Sequence, residues 1–319
     1  MRATSVSTKT ECEALASQYC AMRKYGTPKL PVNMQLKKIR NALPTFILLA
    51  IFIALFWGAL RELFIDWQID PNYQHGFLIP LISIYLIWQK RDTLRQLALQ
   101  PSYTAGLCLI GAALGLFLVA TAGAEWFLAR AAMLLCLIGL AVYFGGKNLL
   151  RAIWFPLLYL GFMIPLPYVI YYRLTFPLQQ LASFGAFHTM QLFGIPGLRE
   201  GNILHFTGFS LEVIEACSGL RSMMVLMALG AIVAYMATLS NSRRWLLFLA
   251  TIPIAVAANV LRLVFIANLG IFWSAEAARS FLHEGSGLLV FLSGLFLLLM
   301  FAGVLQWFNS RKRIGLSLV

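Results

Sequence analysis

A cysteine and an arginine stand close together where a polar segment meets a long apolar run. They belong to residues 215–222, EACSGLRS, and the apolar run begins at Leu220. If that run is a helix, its first-turn N–H groups and its dipole stabilise a thiolate at Cys217. Arg221 lies one turn further along and adds a fixed positive charge. The alternative is that Cys217 is a small buried hydrophobic residue. Its polar neighbours, among them Glu215, favour Cys217 as a nucleophile.

Two other residues are of types that assist a cysteine nucleophile. Arg262 interrupts an apolar run, and a charge at the centre of a lipid-facing helix costs about 2.5–3.5 kcal/mol, so such residues usually face a polar interior. The alternative is that its side chain reaches lipid phosphate. His283, in the sequence FLHEGSG, is the usual type of base for a cysteine, and Glu284 or Glu215 is available to orient it. The alternative for His283 is an ordinary loop histidine at the membrane surface.

The composition is that of a protein that crosses a membrane several times. Hydrophobic residues make up 60% of the 319 and charged residues only 12%, and the mean hydropathy is +0.79. The five cysteines form no CxxC pair and have no histidine at metal-ligand spacing. The sequence therefore indicates neither a disulfide framework nor a metal or cofactor site.

Apolar runs follow one another through most of the chain. A spanning helix needs roughly 20 apolar residues, and the runs cover about 43–60, 76–88, 104–123, 131–146, 152–172, 218–239, 245–268 and 286–309. Residues 201–215 alternate around Thr207-Gly208, which predicts a short β-hairpin. The predicted fold is an all-α integral membrane protein with about eight transmembrane helices and an extracytoplasmic hairpin before the sixth. It divides into a basic tail (1–42), a polytopic catalytic domain (43–309) and a second tail (310–319).

The basic residues predict the orientation of these helices. With both termini in the cytoplasm, 18 of the 25 lysines and arginines fall in the tails and inner loops, as the positive-inside rule expects. The net charge of +13 is then explained without nucleic acid. The same topology brings Cys217, Arg262 and His283 to the outer level of the membrane.

Three segments now carry a resemblance to a known family. EACSGLRS entering an apolar helix, an arginine within the next helix and HEGSG before the last helix resemble the exosortase/archaeosortase family of polytopic cysteine transpeptidases. The segment YQHGFLIPLISIYLIW (73–88) is similar to that family's N-terminal signature. The resemblance covers about 43–309 and implies Cys217, Arg262 and His283 as the catalytic residues.

The resemblance implies cleavage of a C-terminal sorting signal on exported proteins. Such a signal comprises a short motif such as Pro-Glu-Pro, a transmembrane helix and a basic cluster. The expected location is the bacterial inner membrane, and the expected partners are these membrane-anchored substrates, membrane lipid and a separate accessory periplasmic protein. Two alternatives remain from the residues themselves: a membrane acyltransferase acting on lipid or polysaccharide, and a transporter that uses Arg262, Glu215 and His283.

Overall fold

The structure, a computed structural model, describes residue 44 and residues 46–213, 220–284 and 286–316. These described residues divide into two compact units, one that ends at Gly58 and one that begins at Ala59. The described part of the first unit is helical and contains α1 (Phe46–Leu55). The later elements are α2 (Trp57–Ile69), a 3-10 turn (Gln74–Phe77), α3 (Leu78–Gln89), α4 (Arg91–Gln96), α5 (Tyr103–Ala122), α6 (Trp126–Tyr159), a 3-10 turn (Leu160–Met163), α7 (Tyr168–Leu192), β1 (Gly197–Glu200), β2 (Ile203–Phe206), β3 (Phe209–Glu212), α8 (Leu220–Met236), α9 (Asn241–Phe272), α10 (Ala275–Glu284) and α11 (Ser286–Leu316).

Fewer helices than predicted meet the length and composition expected of a membrane span. Four described helical segments do so, and the pair α1 and α2 makes a fifth if it is one broken span. The prediction of eight spans is therefore not confirmed. The run predicted over 76–88 forms a 3-10 turn and then the 12-residue α3, which extends only about 18 Å. A bilayer core of roughly 30 Å is longer than that.

The 34 residues of α6 form two helices that meet at Gly146, whose φ and ψ are 64° and −159°. Near one end, Arg130 Nη2 lies 2.6 Å from Asp66 Oδ2. Beyond the other end, the Met163 carbonyl accepts a hydrogen bond of 2.9 Å from Trp67 Nε1. A straight helix would separate residues 130 and 163 by about 50 Å, yet they contact consecutive residues of α2. The chain therefore reverses direction at Gly146.

Gly146→Ala should destabilise the protein. These backbone angles belong to a region that is essentially reserved for glycine, where other residues cost about 1–3 kcal/mol. A Cβ at this position would also collide with the Gln100 carbonyl oxygen. Thermal unfolding in detergent, followed by tryptophan fluorescence, measures the loss. Gly111→Ala is the matched control, since it lies inside α5 with open space around its Cα and should be neutral or slightly stabilising. Equal unfolding temperatures for the two variants would contradict the account of the reversal.

A three-stranded antiparallel sheet in the order β1-β2-β3 follows α7. The predicted hairpin around Thr207-Gly208 is its second half, and Gly208 has a φ of 78°. A third strand, β1, pairs with β2 through a turn at Gly201, whose φ is 62°. Alternate residues of β2 and β3 are buried. The sheet therefore has one face turned toward the helices.

Helix α9 lies at the centre of the second half of the chain and packs against α7, α8, α10 and α11. Small residues allow close approach: Gly230 of α8 faces Thr251, and Gly294 of α11 faces Leu226. Beyond the end of β3, the Val213 N–H donates to the Asn202 carbonyl at 2.9 Å, and the Asn202 side chain donates back to Val213 at 3.0 Å. This reciprocal pair holds the last described residue before position 214.

Candidate active site

Arg262 lies inside the protein. Its side chain is buried, with a relative exposure of 5%, and Asn259, one turn earlier on α9, is buried as well. Arg262 is 21 residues from the start of α9 at Asn241, so it stands about 31 Å along the helix, near the far edge of a roughly 30 Å bilayer core. Its burial favours the sequence interpretation of an arginine facing a polar interior over one reaching lipid phosphate.

The neighbouring helix α7 carries further buried polar side chains. Thr175, Gln179 and Ser183 follow one another at four-residue spacing and are all buried, so they share one face of α7. Ser183 Oγ donates to the Gln180 carbonyl at 3.1 Å and to the Gly201 carbonyl at 3.3 Å. Two packed helices, α7 and α9, thus both present polar groups inside the protein. In α9, which is a candidate span, a buried arginine is expensive and is usually functional.

One hydrophobic cluster, which we call the sheet core, joins the sheet to these helices. Its buried members come from α7, the sheet, α9 and α10: Ala182, Ala186, Met190, Leu204, Phe206, Phe209, Leu211, Val213, Leu263, Ile266, Ala267 and Ala278. Leu263 directly follows Arg262 in the chain. Phe281 packs against the cluster, and its ring lies 5.0 Å from that of Phe265. The sheet core therefore fixes the backbone beside Arg262.

The predicted nucleophile Cys217 and its neighbour Glu215 lie outside the described residues. The chain is described up to Val213, which is fully buried in the sheet core, and again from Leu220. Cys217 follows Val213 by four positions in the sequence, and its role as a nucleophile stays a prediction.

The predicted base His283 lies on the last turn of α10 rather than in a loop. The hydroxyl of Ser274 caps this helix by accepting from the Ala277 N–H at 3.0 Å, and Glu276 in the first turn suits the helix dipole. The sheet core anchors α10 through Ala278 and Phe281, and Phe281 precedes His283 by two positions. The side chains of His283 and Glu284 are not described, so their roles stay predictions.

Arg221 is the second residue of α8 and is exposed. An exposed cation is screened by solvent and has less effect on a neighbouring thiol than a buried one. Of the two arginines that the sequence singled out, Arg262 is the one in a setting of low dielectric constant.

Residues of the segment 73–88, which resembled a family signature, connect α2 to the chain at residues 163–166. Gly76, in the 3-10 turn, packs so closely on Trp67 that a Cβ would collide with the indole ring. The buried Tyr73 hydroxyl accepts from the Leu166 N–H at 3.0 Å. Trp67 donates to Met163, so α2, the turn at 74–77 and residues 163–166 form one assembly. No sequence pattern indicated this structural role.

Burial lowers the pKa of His75, while the nearby carbonyls of Phe162 and Asn72 act in the opposite direction. The net shift leaves the imidazole neutral at physiological pH. A neutral ring in this turn adds no charge to the assembly around Trp67.

The sequence analysis missed the ion pair between Arg130 of α6 and Asp66 of α2. Their closest atoms are 2.6 Å apart, and the side chains are 4% and 37% exposed. The available signal was the position of Arg130 early in a helix of high hydropathy, the same criterion that identified Arg262. This pair lies in a part of the chain that is well separated in sequence from the predicted catalytic residues.

A further polar group lies on the other face of the sheet. His205 Nδ1 is 3.0 Å from Ser210 Oγ across β2 and β3, and His205 Nε2 is 3.8 Å from Glu200. His205 is 40% and Glu200 67% exposed in their side chains. Such cross-strand pairs stabilise the sheet modestly. Arg199, which donates to the Gly201 carbonyl at 2.7 Å, lies on the opposite face, because it pairs with the buried Leu204.

These features define a class: a multi-pass membrane protein whose buried arginine lies beside a small sheet that leads toward a cysteine. The chain belongs to the transmembrane exosortase family, whose family model matches residues 67–300. The match begins at the assembly around Trp67 and includes the sheet and helices α8 to α10. Neither the curated proteins nor the solved structures contain a match to this chain.

Proposed function

We propose that this protein is a membrane-embedded cysteine protease or transpeptidase that cleaves the C-terminal sorting signal of exported proteins. The supporting observation is the sheet core, in which three of the four segments that meet lie next to the predicted catalytic residues in the sequence. These segments contain Val213, four positions before Cys217; Leu263, next to the buried Arg262; and Phe281, two positions before His283. Membership in the exosortase family supports the same proposal.

In the first half of the proposed reaction, the Cys217 thiolate attacks the carbonyl carbon of the scissile peptide bond. The oxygen becomes negatively charged in the tetrahedral intermediate, and Arg262 stabilises that charge or holds the thiolate. As the C–N bond breaks, His283 gives a proton to the leaving amine. The products are a thioester on Cys217 and the released C-terminal helix.

In the second half, His283 removes a proton from water or from an amine, and that acceptor attacks the thioester carbonyl. The C–S bond breaks and restores the thiolate. Water as acceptor makes the protein a protease, whereas an amine makes it a transpeptidase. The substrate's own membrane helix holds the scissile bond at the level of the site, which supplies the proximity effect.

The proposed setting is the bacterial inner membrane, with both termini in the cytoplasm and the site on the extracytoplasmic side. This orientation rests on the distribution of basic residues. The proposed partners are exported proteins that end in a short motif, an apolar helix and a basic cluster, together with membrane lipid and a separate accessory periplasmic protein. Glu215 or Glu284 would orient His283.

Cys217→Ala should abolish processing without loss of the protein from the membrane, because the thioester cannot form. The measurement is pulse-chase of a tagged substrate that carries such a C-terminal signal, in cells expressing each variant. Cys108→Ala is the matched control, since Cys108 is exposed on α5, and should leave the rate unchanged. Processing at the parental rate by Cys217→Ala would eliminate the proposal.

The same variants separate the two alternative functions. A hydroxylamine-sensitive adduct between Cys217 and a protein fragment is expected for the proposed reaction. A fatty acyl group on Cys217 would instead identify a membrane acyltransferase. A transporter would retain its activity in Cys217→Ala, because the sulfur atom has no part in moving a proton or an anion.

A further inference from the structure

A cavity of about 330 Å³ opens between α6, α8 and α9. Its walls are mainly aromatic and aliphatic: Trp154, Phe155, Leu158, Tyr159, Phe162, Ala231, Ala234, Tyr235, Trp245 and Phe248. The rings of Phe155 and Tyr235 stack in parallel with their centres 3.9 Å apart. Rigid apolar walls of this kind suit a hydrocarbon chain.

The charged side chain that lines the cavity is a cation. Arg244 and Asn241 line it, and the described lining residues include no acidic side chain. The guanidinium of Arg244 donates from Nε and Nη2 to the Ala237 carbonyl at 3.2 and 3.1 Å. These bonds fix its position and leave Nη1 without a protein partner among the described residues. Lys90 Nζ lies 5.2 Å from the Tyr235 ring, which adds a second cation beside the cavity.

Arg244 stands at the level where a membrane helix begins. Asn241 begins α9, which is a candidate span, and Arg244 is in its first turn. Trp245 and Trp154 are exposed at 61% and 45%, and exposed tryptophans of membrane proteins concentrate at the headgroup level. A cation fixed at that level beside an apolar cavity matches a negatively charged headgroup with an attached hydrocarbon chain.

We propose that this cavity binds one anionic phospholipid, with an acyl chain against the aromatic and aliphatic walls and the phosphate on Arg244. A zwitterionic phospholipid offers the same chain, but its own ammonium group competes with Arg244 for the phosphate. The preference for an anionic headgroup therefore depends on the guanidinium. The site is separate from the residues assigned to peptide cleavage, so it stands whether or not that function holds.

Native mass spectrometry of the purified full-length protein tests the site. The protein is delipidated in detergent and then incubated with equal amounts of phosphatidylglycerol and phosphatidylcholine. The parent should retain phosphatidylglycerol about tenfold over phosphatidylcholine, the preference that one charge-assisted hydrogen bond supports. Arg244→Gln should retain the two lipids equally. Arg243→Gln loses the same charge from the adjacent position, outside the cavity lining, and should keep the parental preference.

A second variant keeps the proposal testable if Arg244→Gln misfolds. Ala234→Leu adds apolar volume to the cavity wall without changing any charge, and it should lower the retention of phosphatidylglycerol several-fold. Three results would overturn the proposal. They are an equal loss of the preference for phosphatidylglycerol in Arg243→Gln and Arg244→Gln, equal retention of both lipids by the parent, and full retention of phosphatidylglycerol by Ala234→Leu. The first would indicate general attraction to a basic surface, and the second a cavity that selects only for hydrocarbon.

Discussion

Arg262→Lys is expected to insert and accumulate like the parent protein but to process substrate about 10²–10³-fold more slowly, as when an oxyanion donor is lost. Lysine keeps the charge, so a residue that merely reached lipid phosphate would tolerate the change. A buried arginine that binds an oxyanion or a thiolate depends instead on its planar fork of donors, which a flexible ammonium does not reproduce. The 5% exposure of Arg262 favours the second behaviour.

The rate is measured by pulse-chase of the tagged substrate, with membrane levels of each variant determined in parallel. Arg243→Lys, on the first turn of the same helix α9, is the matched control and should process substrate at the parental rate. Near-parental processing by Arg262→Lys, together with an inactive Cys217→Ala, would remove Arg262 from the catalytic residues. Arg221 would then be the remaining candidate for the cation.

Asp66→Asn is expected to lower the free energy of unfolding by about 3–5 kcal/mol, the usual cost of removing one member of a buried ion pair. The reason is the uncompensated charge of Arg130, whose side chain is only 4% exposed. Because Asp66 is 37% exposed, water can replace part of the lost interaction, so we expect the lower end of this range. Unfolding in mixed detergent micelles, followed by tryptophan fluorescence, measures the change.

Glu62→Gln is the matched control, because it removes one negative charge from the same helix. Glu62 pairs with Arg61 at 2.9 Å, but that arginine is 63% exposed, and exposed pairs contribute only about 0–1 kcal/mol. The double variant Asp66→Leu with Arg130→Met should recover most of the stability, since an apolar pair replaces both charges. Equal effects of Asp66→Asn and Glu62→Gln would show that the Asp66–Arg130 pair does not hold α2 against α6.

The apolar runs predicted the positions of the helices more accurately than the number of helices that cross a membrane. The break predicted after residue 146 coincides with the reversal at Gly146, because the apolar run ends there at a glycine and Lys147. The hairpin turn was readable because Gly208 supplies the positive φ that the turn needs. The third strand β1 was missed although Gly201-Asn202 is a turn signal of the same kind. Helix α10 was also missed, because a ten-residue helix with a polar face gives only a weak sequence pattern between long apolar runs.

The candidate site was predictable in its residue types but not in its surroundings. An arginine within an apolar run indicated Arg262, and its burial agrees with that interpretation. Arg130 also lies within an apolar run, but its partner Asp66 is 64 positions away and cannot be identified from spacing. The cavity beside Arg244 depends on how three helices diverge, and no local pattern encodes that. Long-range packing therefore accounts for most of what the sequence analysis did not find.

The reversal at Gly146 has a consequence for the sidedness of the protein. A straight crossing between Trp126 and Met163 would leave the two ends on opposite faces of the bilayer, whereas a reversal returns the chain toward the face from which it came. The number of spans that precede the sheet therefore depends on Gly146: residues 126–163 count as one span if the helix is straight and as two if it folds back within the bilayer. That count decides on which face of the bilayer the sheet and α8 would lie.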